Sequence, residues 1–246
     1  MTKLAIIGGT GALDLFHPSG PAIENTVTRW GPASMAPVPV DLGSTQAWFL
    51  ARHGRPHHIP PHRINYRANI ELLQTLGARH VVAINAVGGI APELAAGDLV
   101  MPDQLIDYTW GRDHSFSDDA VQPLRHIEFA QPFAGPAGDA LRRAAARTDI
   151  DLQLGACYGV TQGPRLETAA EITRLAADGC TVVGMTAMPE AALAREAGLD
   201  YASVCVVANP AARVDAEPIS MAEIHRVLAQ SMASVVRLLE AWAEEM

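Results

Sequence analysis

Short apolar segments alternate along the chain with longer segments in which apolar residues recur every three or four positions. The short segments predict buried strands, and the longer ones predict helices with one apolar face. The predicted strands are residues 4–7, 48–51, 81–85, 98–101, 157–161, 181–185 and 202–208. The predicted helices are residues 65–76, 137–147, 168–177, 190–197 and a last helix that begins at residue 220, with Ser220 and Glu223 as its expected capping box.

This alternation predicts an α/β fold with a largely parallel sheet that helices cover on both faces. The chain carries no internal repeat and no low-complexity linker, so we expect one domain over residues 1–246. In such folds ligands bind where the carboxyl ends of the strands meet. The polar residues that follow the predicted strands are therefore the candidates for a functional site.

Composition narrows the class of protein. The 246 residues carry 18 Lys and Arg against 27 Asp and Glu, a formal charge of −9, which argues against a face that binds nucleic acid. The three cysteines have no C-x-x-C spacing and are expected to be buried thiols. The chain has no signal-like start and no apolar segment of about 20 residues, so we expect a cytoplasmic protein with no membrane contact.

A glycine-rich turn, GGTG at residues 8–11, follows the first predicted strand. A dinucleotide-binding G-x-G-x-x-G motif that starts at Gly9 needs a third glycine at position 14, which is Asp14. The turn suits a single phosphate, held by backbone amides and the Thr10 hydroxyl, as well as it suits a plain tight turn. Its own residues leave both interpretations open.

The second strand is followed by Arg52 and His53. A guanidinium presents a planar fork of donors that fits phosphate oxygens. The proline-rich loop after them holds His57, His58 and His62. These histidines lie in a proline-rich loop and not in an H-x-x-x-H motif on a helix, and they have no cysteine or carboxylate to complete a ligand set, so no metal is expected.

Four more strand ends carry small or polar residues. Each has an ordinary structural explanation, since a carboxylate at a helix start serves the helix dipole and an asparagine at a strand end forms turns. The residues are Asn85 and Ala86, Glu167, Met185 and Thr186, and Asn209. Their occurrence together, one cluster after another on a single chain, is what favours a ligand site.

In this order the segments GGTG, ARHG, NAVGG, QGPRLETAAEI, GMTAMPEAALARE and VVANPAA resemble the trimeric purine nucleoside phosphorylase and methylthioadenosine phosphorylase family. The resemblance runs from residue 4 to the last helix. It implies phosphorolysis, in which phosphate attacks C1′ of a purine nucleoside and releases the base and a ribose 1-phosphate. It also implies a three-layer α/β/α domain around a mixed, partly barrelled sheet. It further implies no metal or organic cofactor, and a homotrimer or a hexamer of two trimers with active sites near subunit interfaces.

The same resemblance assigns roles to individual residues. The implied phosphate-binding residues are Thr10, Arg52, His53, Asn85, Ala86 and Thr186. The implied nucleoside-binding residues are Leu166, Glu167, Met185, Asn209 and Ala211. Asn209, Glu167 and His53 are the implied catalytic residues. Leu166 departs from the family, which has a base-stacking phenylalanine there, and Asn85 stands where mammalian methylthioadenosine enzymes have threonine.

Two positions indicate which base is bound. Glu167 and Asn209 match the 6-oxopurine enzymes, whereas methylthioadenosine enzymes carry serine and aspartate at these positions. An ionised Glu167 accepts a hydrogen bond from N1–H of hypoxanthine or guanine, but it repels the N1 lone pair of adenine. The Asn209 amide is able to contact O6 and to hold a proton on N7.

The 5′ end of the site points to the methylthio branch. Residues 126–133, HIEFAQPF, resemble the stretch of that branch whose histidine, here His126, lies near the 5′-thioether. Met221 and Ile224 match apolar residues that line the same pocket. Both ends together predict 5′-methylthioinosine as the substrate, with phosphate. The alternatives are inosine or guanosine, methylthioadenosine, a purine sensor without activity, and an NAD- or nucleotide-binding protein, against which Asp14 counts.

Overall fold

The computed structural model describes residues 3–13, 15–24, 26–117, 124–212 and 219–246. Strands and helices alternate along these ranges as the sequence predicts. The strands are β1 (Leu4–Gly8), β2 (Val27–Thr28), β3 (Gly31–Pro32), β4 (Val38–Leu42), β5 (Thr45–Ala51), β6 (His80–Gly89), β7 (Leu99–Asp107), β8 (Leu152–Val160), β9 (Val182–Gly184) and β10 (Asp200–Pro210). The helices are α1 (Tyr66–Thr75), α2 (Pro136–Thr148), α3 (Ala169–Ala177), α4 (Ala187–Glu196) and α5 (Met221–Glu245), with a short 3-10 helix at Pro61–Arg63.

Eight strands form the main sheet in the order β10-β7-β8-β9-β6-β1-β5-β4, and β10 also pairs with β6. That extra pairing closes β6, β10, β7, β8 and β9 into a ring, from which β1, β5 and β4 extend as an open arm. The pairs β10–β7, β4–β5 and β6–β9 are antiparallel. The mixed, partly barrelled sheet is confirmed. The other five pairings of the main sheet are parallel, as expected of a largely parallel sheet.

Helices cover the sheet on both sides. On one side α2 and α5 pack together over a core that includes Leu141, Leu228 and Trp242. On the other side α1 and α4 pack over a second core that includes Ile70 and Leu193. The three-layer arrangement follows from these two apolar faces, because each helix buries the stripe that its sequence periodicity predicted.

The strands of the ring run further than their apolar segments predicted. β6 extends past Asn85 to Gly89, and it pairs with β10 along its whole length. Two neighbouring strands supply hydrogen-bond partners there, which stabilises an extended backbone even at Gly88 and Gly89. Asn85 and Ala86 therefore lie inside a strand, on opposite faces of the sheet.

The helix caps differ from the expectation in one place. Ser220 accepts a hydrogen bond from the Glu223 amide at 3.4 Å. The Glu223 carboxylate pairs with Arg226 instead of returning to the cap, so the box is only half formed. A complete capping box forms at the start of α3, between Thr168 and Glu171. In the described part of the chain, no helix is long and apolar enough to span a bilayer.

Candidate active site

A cavity of about 370 Å³ opens at the end of the sheet where β1, β5 and β10 finish. This volume lies in the usual range for a small-molecule site. Of the fourteen residues that the sequence predicts for the site, twelve line it. They are Thr10, Arg52, His53, Ala86, Leu166, Glu167, Met185, Thr186, Asn209, Ala211, Met221 and Ile224. Asn85 and His126 are the two that do not line it.

The glycine turn after β1 brings the backbone very close to its neighbours. A Cβ at Gly9 would lie 2.8 Å from the Ile84 carbonyl oxygen and 2.9 Å from Nη1 of Arg52. The Gly9 amide donates to that same carbonyl at 3.1 Å. The amide of Gly9 is therefore not a donor for an anion, and the Thr10 hydroxyl is the group of this turn that faces the cavity.

Arg52 is completely buried at the end of β5 and forms a two-pronged ion pair with Glu190 of α4. Nε lies 2.6 Å from Oε2 and Nη2 lies 2.8 Å from Oε1 of that carboxylate. The Tyr201 hydroxyl also donates to Glu190, at 2.8 Å. Burial acts to lower the pKa of Arg52, but the attraction and hydrogen bonds of Glu190 outweigh it and the pKa rises. Glu190 thus fixes the guanidinium and cancels its charge at short range.

His53 lines the cavity as a neutral ring. Its Nδ1 lies 2.7 Å from the carbonyl oxygen of Ile59, and a carbonyl only accepts, so Nδ1 carries the proton. Burial, and then the positive charge of Arg52, lower the pKa of His53 to about 3. At neutral pH its Nε2 therefore offers a lone pair. It is suited to accept a hydrogen bond from a phosphate or sugar hydroxyl, but not to donate one.

Asn85 lies behind the cavity wall. It is buried, and its Nδ2 donates to Ser203 Oγ at 2.9 Å. Its Oδ1 accepts from the Thr186 hydroxyl at 3.3 Å. The side chain of Asn85 thus holds the Thr186 hydroxyl from behind the cavity wall, which is a supporting position. The expected contact of Asn85 with phosphate stays a prediction.

Glu167 lines the cavity from the loop between β8 and α3. α3 begins at Ala169, and the acidic residue of its first turn is Glu171. Glu167 therefore lies before the helix cap, which removes the explanation that it serves the helix dipole. Its Oε1 accepts a hydrogen bond from the Thr161 hydroxyl at 2.5 Å.

Asn209 is presented by an irregularity in β10. The pairing of β10 with β6 shifts register between Val207 and Asn209. A bulge of this kind re-aims the side chain that follows it. Nδ2 of Asn209 donates to the carbonyl oxygen of Pro210 at 2.6 Å, which holds the amide at the cavity edge.

Arg112 is a residue that the sequence analysis did not select. Its Nη1 donates to the carbonyl oxygens of Met185, at 2.9 Å, and Met188, at 2.6 Å. Its Nη2 donates to those of Thr161, at 3.1 Å, and Gln162, at 2.8 Å. Burial lowers its pKa. Arg112 therefore joins the loop that carries Glu167 to the turn that carries Thr186, and no periodicity or motif in the sequence signals this.

The expected 5′ end is only partly assembled. Met221 and the buried Ile224, at the start of α5, line the cavity. His126 is exposed, and its segment runs along the end of α4, where Arg195 Nη2 donates to the carbonyl oxygen of Gln131 at 2.9 Å. The cavity of a single chain therefore does not include His126.

Comparison with known proteins identifies the family. Residues 3–244 match the sequence profile of the phosphorylase superfamily. The chain belongs to this superfamily. A relative named probable S-methyl-5′-thioinosine phosphorylase, from Xanthomonas campestris pathovar campestris, is 49% identical over 90% of this chain and 89% of its own length. The 6-oxopurine nucleoside phosphorylase of Pyrococcus furiosus is 39% identical over 98% of this chain and 92% of its own length.

A solved structure shows the same fold. Methylthioadenosine phosphorylase from Schistosoma mansoni, in complex with adenine, superposes on this phosphorylase with a TM-score of 0.91 and 31% identity. The superposition covers 99% of this chain and 91% of the other. The expected phosphorylase family and fold are confirmed.

The cavity of this phosphorylase has two chemically different ends. One end carries the hydroxyl, imidazole and guanidinium groups of Thr10, Arg52, His53 and Thr186. The other end carries the carboxylate of Glu167 and the amide of Asn209. Among the described residues, no group of three or more His, Cys, Asp and Glu side chains is arranged to hold a metal ion.

Cys180 and Cys205 are buried and Cys157 is half-buried, and burial raises the pKa of Cys157 to about 11.

Proposed function

We propose that this phosphorylase cleaves S-methyl-5′-thioinosine with inorganic phosphate, giving hypoxanthine and 5-methylthioribose 1-phosphate. The observation that carries the proposal is that a single cavity is lined by Glu167 and Asn209 and also by Met221 and Ile224. The first pair suits a 6-oxopurine, and the second pair suits an apolar 5′ substituent. The proposal treats the whole chain as one catalytic domain.

At the base end, hydrogen-bond polarity selects hypoxanthine. The Thr161 hydroxyl occupies Oε1 of Glu167, which leaves Oε2 to accept from N1–H of the base. Adenine has only a lone pair at N1, so the same carboxylate repels it. A site built around a substrate N–H rejects an analogue that lacks it by about 10⁴-fold in favourable cases.

At the 5′ end, the side chains of Met221 and Ile224 offer no hydrogen-bond partner of their own to a hydroxyl. Ile224 is buried and Met221 is 55% exposed, so an S-methyl group gains from apolar contact with them, whereas a hydroxyl gains no hydrogen bond from either side chain. This favours the methylthio nucleoside over inosine. The relative from Xanthomonas, whose name specifies methylthioinosine, is also more similar to this chain than the 6-oxopurine enzyme from Pyrococcus furiosus.

The proposed reaction needs only phosphate as a co-substrate. The bond between C1′ and N9 breaks, its electron pair goes to the base, and a phosphate oxygen bonds to the cationic C1′. Thr10, Arg52, His53, Ala86 and Thr186 are the proposed phosphate contacts, and Met185 lies where the sugar is expected. Asn209 stabilises the departing base at N7. These groups act by being already in place around the charges that develop.

The decisive experiment is phosphate-dependent release of base from methylthioinosine, inosine, guanosine and methylthioadenosine. We expect the highest kcat/KM for methylthioinosine. A preference for inosine would contradict the argument from the apolar 5′ end, and a preference for methylthioadenosine would contradict the argument from Glu167 and Asn209.

A substitution then tests the base end separately. Glu167→Gln is expected to lower kcat/KM for methylthioinosine about tenfold to hundredfold, because the amide has one acceptor oxygen in place of two and its NH2 group only donates. The KM for phosphate should stay within about twofold, since Glu167 does not contact the proposed phosphate residues. Glu71→Gln, at the surface pair with Arg29, is the matched control. A large rise in the phosphate KM would contradict the role of Glu167.

A further inference from the structure

The backbone of Thr161 is fixed from two directions. It directly follows β8, and its amide donates to the Gly184 carbonyl oxygen at the end of β9, at 2.8 Å. Its own carbonyl oxygen accepts from Nη2 of the buried Arg112 at 3.1 Å. Thr161 therefore belongs to the rigid sheet, whereas Glu167 belongs to the loop that follows it.

The side chain of Thr161 has two acceptors within reach and one hydrogen to give. Its Oγ1 lies 2.5 Å from Glu167 Oε1 and 3.4 Å from the Gly184 carbonyl oxygen. A hydroxyl has a single donor, so the shorter contact takes the hydrogen.

Thr161 also decides which oxygen of Glu167 meets the base. Because its hydroxyl occupies Oε1, Oε2 is the oxygen that remains to face N1. A hydroxyl that donates to a carboxylate forms one of the stronger kinds of hydrogen bond. The short contact therefore fixes the rotation of the carboxylate relative to the rigid sheet.

We propose that Thr161 is a specificity-determining positioning residue, which holds the Glu167 carboxylate by Oε1 and turns Oε2 towards N1 of the base, so that the site selects 6-oxopurine over 6-aminopurine nucleosides. The inference rests on the proposed function, because it takes Glu167 as the group that meets N1 of the base. Thr161 acts through Glu167 and not on the sugar or the phosphate.

The test compares Thr161→Val, which keeps the branched shape and removes the hydroxyl, with Thr161→Ser, which restores the hydroxyl. The readout is the ratio of kcat/KM for methylthioinosine to that for methylthioadenosine. Thr161→Val is expected to lower this ratio about tenfold to hundredfold, and Thr161→Ser to recover it to within about threefold. The KM for phosphate is expected to stay within about twofold.

Two further variants separate positioning from folding. Thr173→Val removes a hydroxyl that donates to the Ala169 carbonyl oxygen on exposed α3, and it should leave the ratio unchanged. In a Glu167→Ala background, Thr161→Val should have no further effect on the ratio, since the side chain through which the hydroxyl acts is then absent. Thr161→Ala, which also lacks the hydroxyl, replaces the valine variant if the latter does not fold.

The outcomes are distinct. If the wild-type enzyme prefers methylthioinosine and Thr161→Val keeps its ratio within twofold, the inference about Thr161 is overturned and the proposed function stands. The same holds if the ratio falls equally in the Glu167→Ala background. If the wild-type enzyme prefers methylthioadenosine, the proposed function fails first, and the inference fails with it.

Discussion

At the scale of single residues, the protonation of His53 determines what the phosphate end is able to bind. Its Nδ1 proton is committed to Ile59, and its pKa is lowered to about 3. A neutral ring beside Arg52 adds no positive charge to the site. It adds an acceptor at Nε2, so a phosphate that meets His53 through an oxygen must bring the hydrogen itself.

This protonation state has a consequence for stability. The pKa of His53 is about 3 in the folded chain and 6.5 ordinarily, so between these values the unfolded chain binds a proton that the folded chain does not. The free energy of unfolding should therefore fall as pH falls from about 6.5 towards 3 because of this group, and should not depend on it above about 6.5. Chemical denaturation at several pH values measures this slope.

The matched variants for that measurement are His53→Asn and His17→Asn. The first should flatten the pH dependence by up to about one bound proton, and the second changes an exposed histidine outside the cavity and serves as the control. Equal slopes for wild type and His53→Asn would show that His53 does not resist protonation.

At the scale of elements, one ion pair joins the end of β5 to helix α4. Arg52 and Glu190 are both fully buried, and the carboxylate also accepts from Tyr201 of β10. The carboxylate thus joins α4 and β10, which follow each other along the chain, to the distant β5. The burial of the guanidinium depends on this pair, since removing either partner would leave a buried charge without compensation.

Glu190→Gln is expected to destabilise the fold by about 3–5 kcal/mol, because Arg52 would stay buried without its carboxylate. The free energy of unfolding from denaturant titration measures the change. Glu71→Gln breaks the more exposed pair with Arg29 and should cost less than about 1 kcal/mol. A Glu190→Gln variant as stable as Glu71→Gln would mean that Arg52 finds solvent or another partner.

At the scale of the whole molecule, we propose a homotrimer, or a hexamer of two trimers, with His126 near a subunit interface. Trp110 and Leu124 are each 72% exposed, and His126 lies outside the cavity of its own chain. A neighbouring subunit that covers the two apolar side chains would remove their surface from water. The proposal therefore assigns Trp110 and Leu124 to subunit contacts.

Sedimentation of the purified protein tests the assembly. The mass is expected to be three or six times the 26.1 kDa of the chain. Trp110→Ser and Leu124→Ser should shift the distribution towards smaller species, and Val27→Ser, at another exposed apolar position, is the control. A fully active monomer would contradict the assembly and the role of His126 as a neighbour of the site.

Much of this protein could be predicted from short-range patterns. The strands and helices follow from apolar periodicity, and twelve of the fourteen expected site residues line one cavity, because the carboxyl ends of neighbouring strands meet at one edge of a sheet. Asn85 lies in β6, as the apolar pattern predicted, but it does not line that cavity. Its side chain contacts Ser203 and Thr186, which are 118 and 101 positions away, and no local pattern indicates such partners.

The sequence by itself determined the order of the elements, the family, and which chemical groups stand at the strand ends. Only the tertiary structure decided which of those groups are open to a ligand. Arg52 and Glu190 are separated by 138 positions, and Arg112 and Met188 by 76. Their contacts depend on the assembly of the whole sheet, including the pairing of β6 with β10 that closes the ring. Local periodicity carries no information about such distant partners. The hydrogen bond between Thr161 and Glu167 likewise depends on distant contacts, because Arg112 holds the carbonyl oxygens of Thr161 and Gln162.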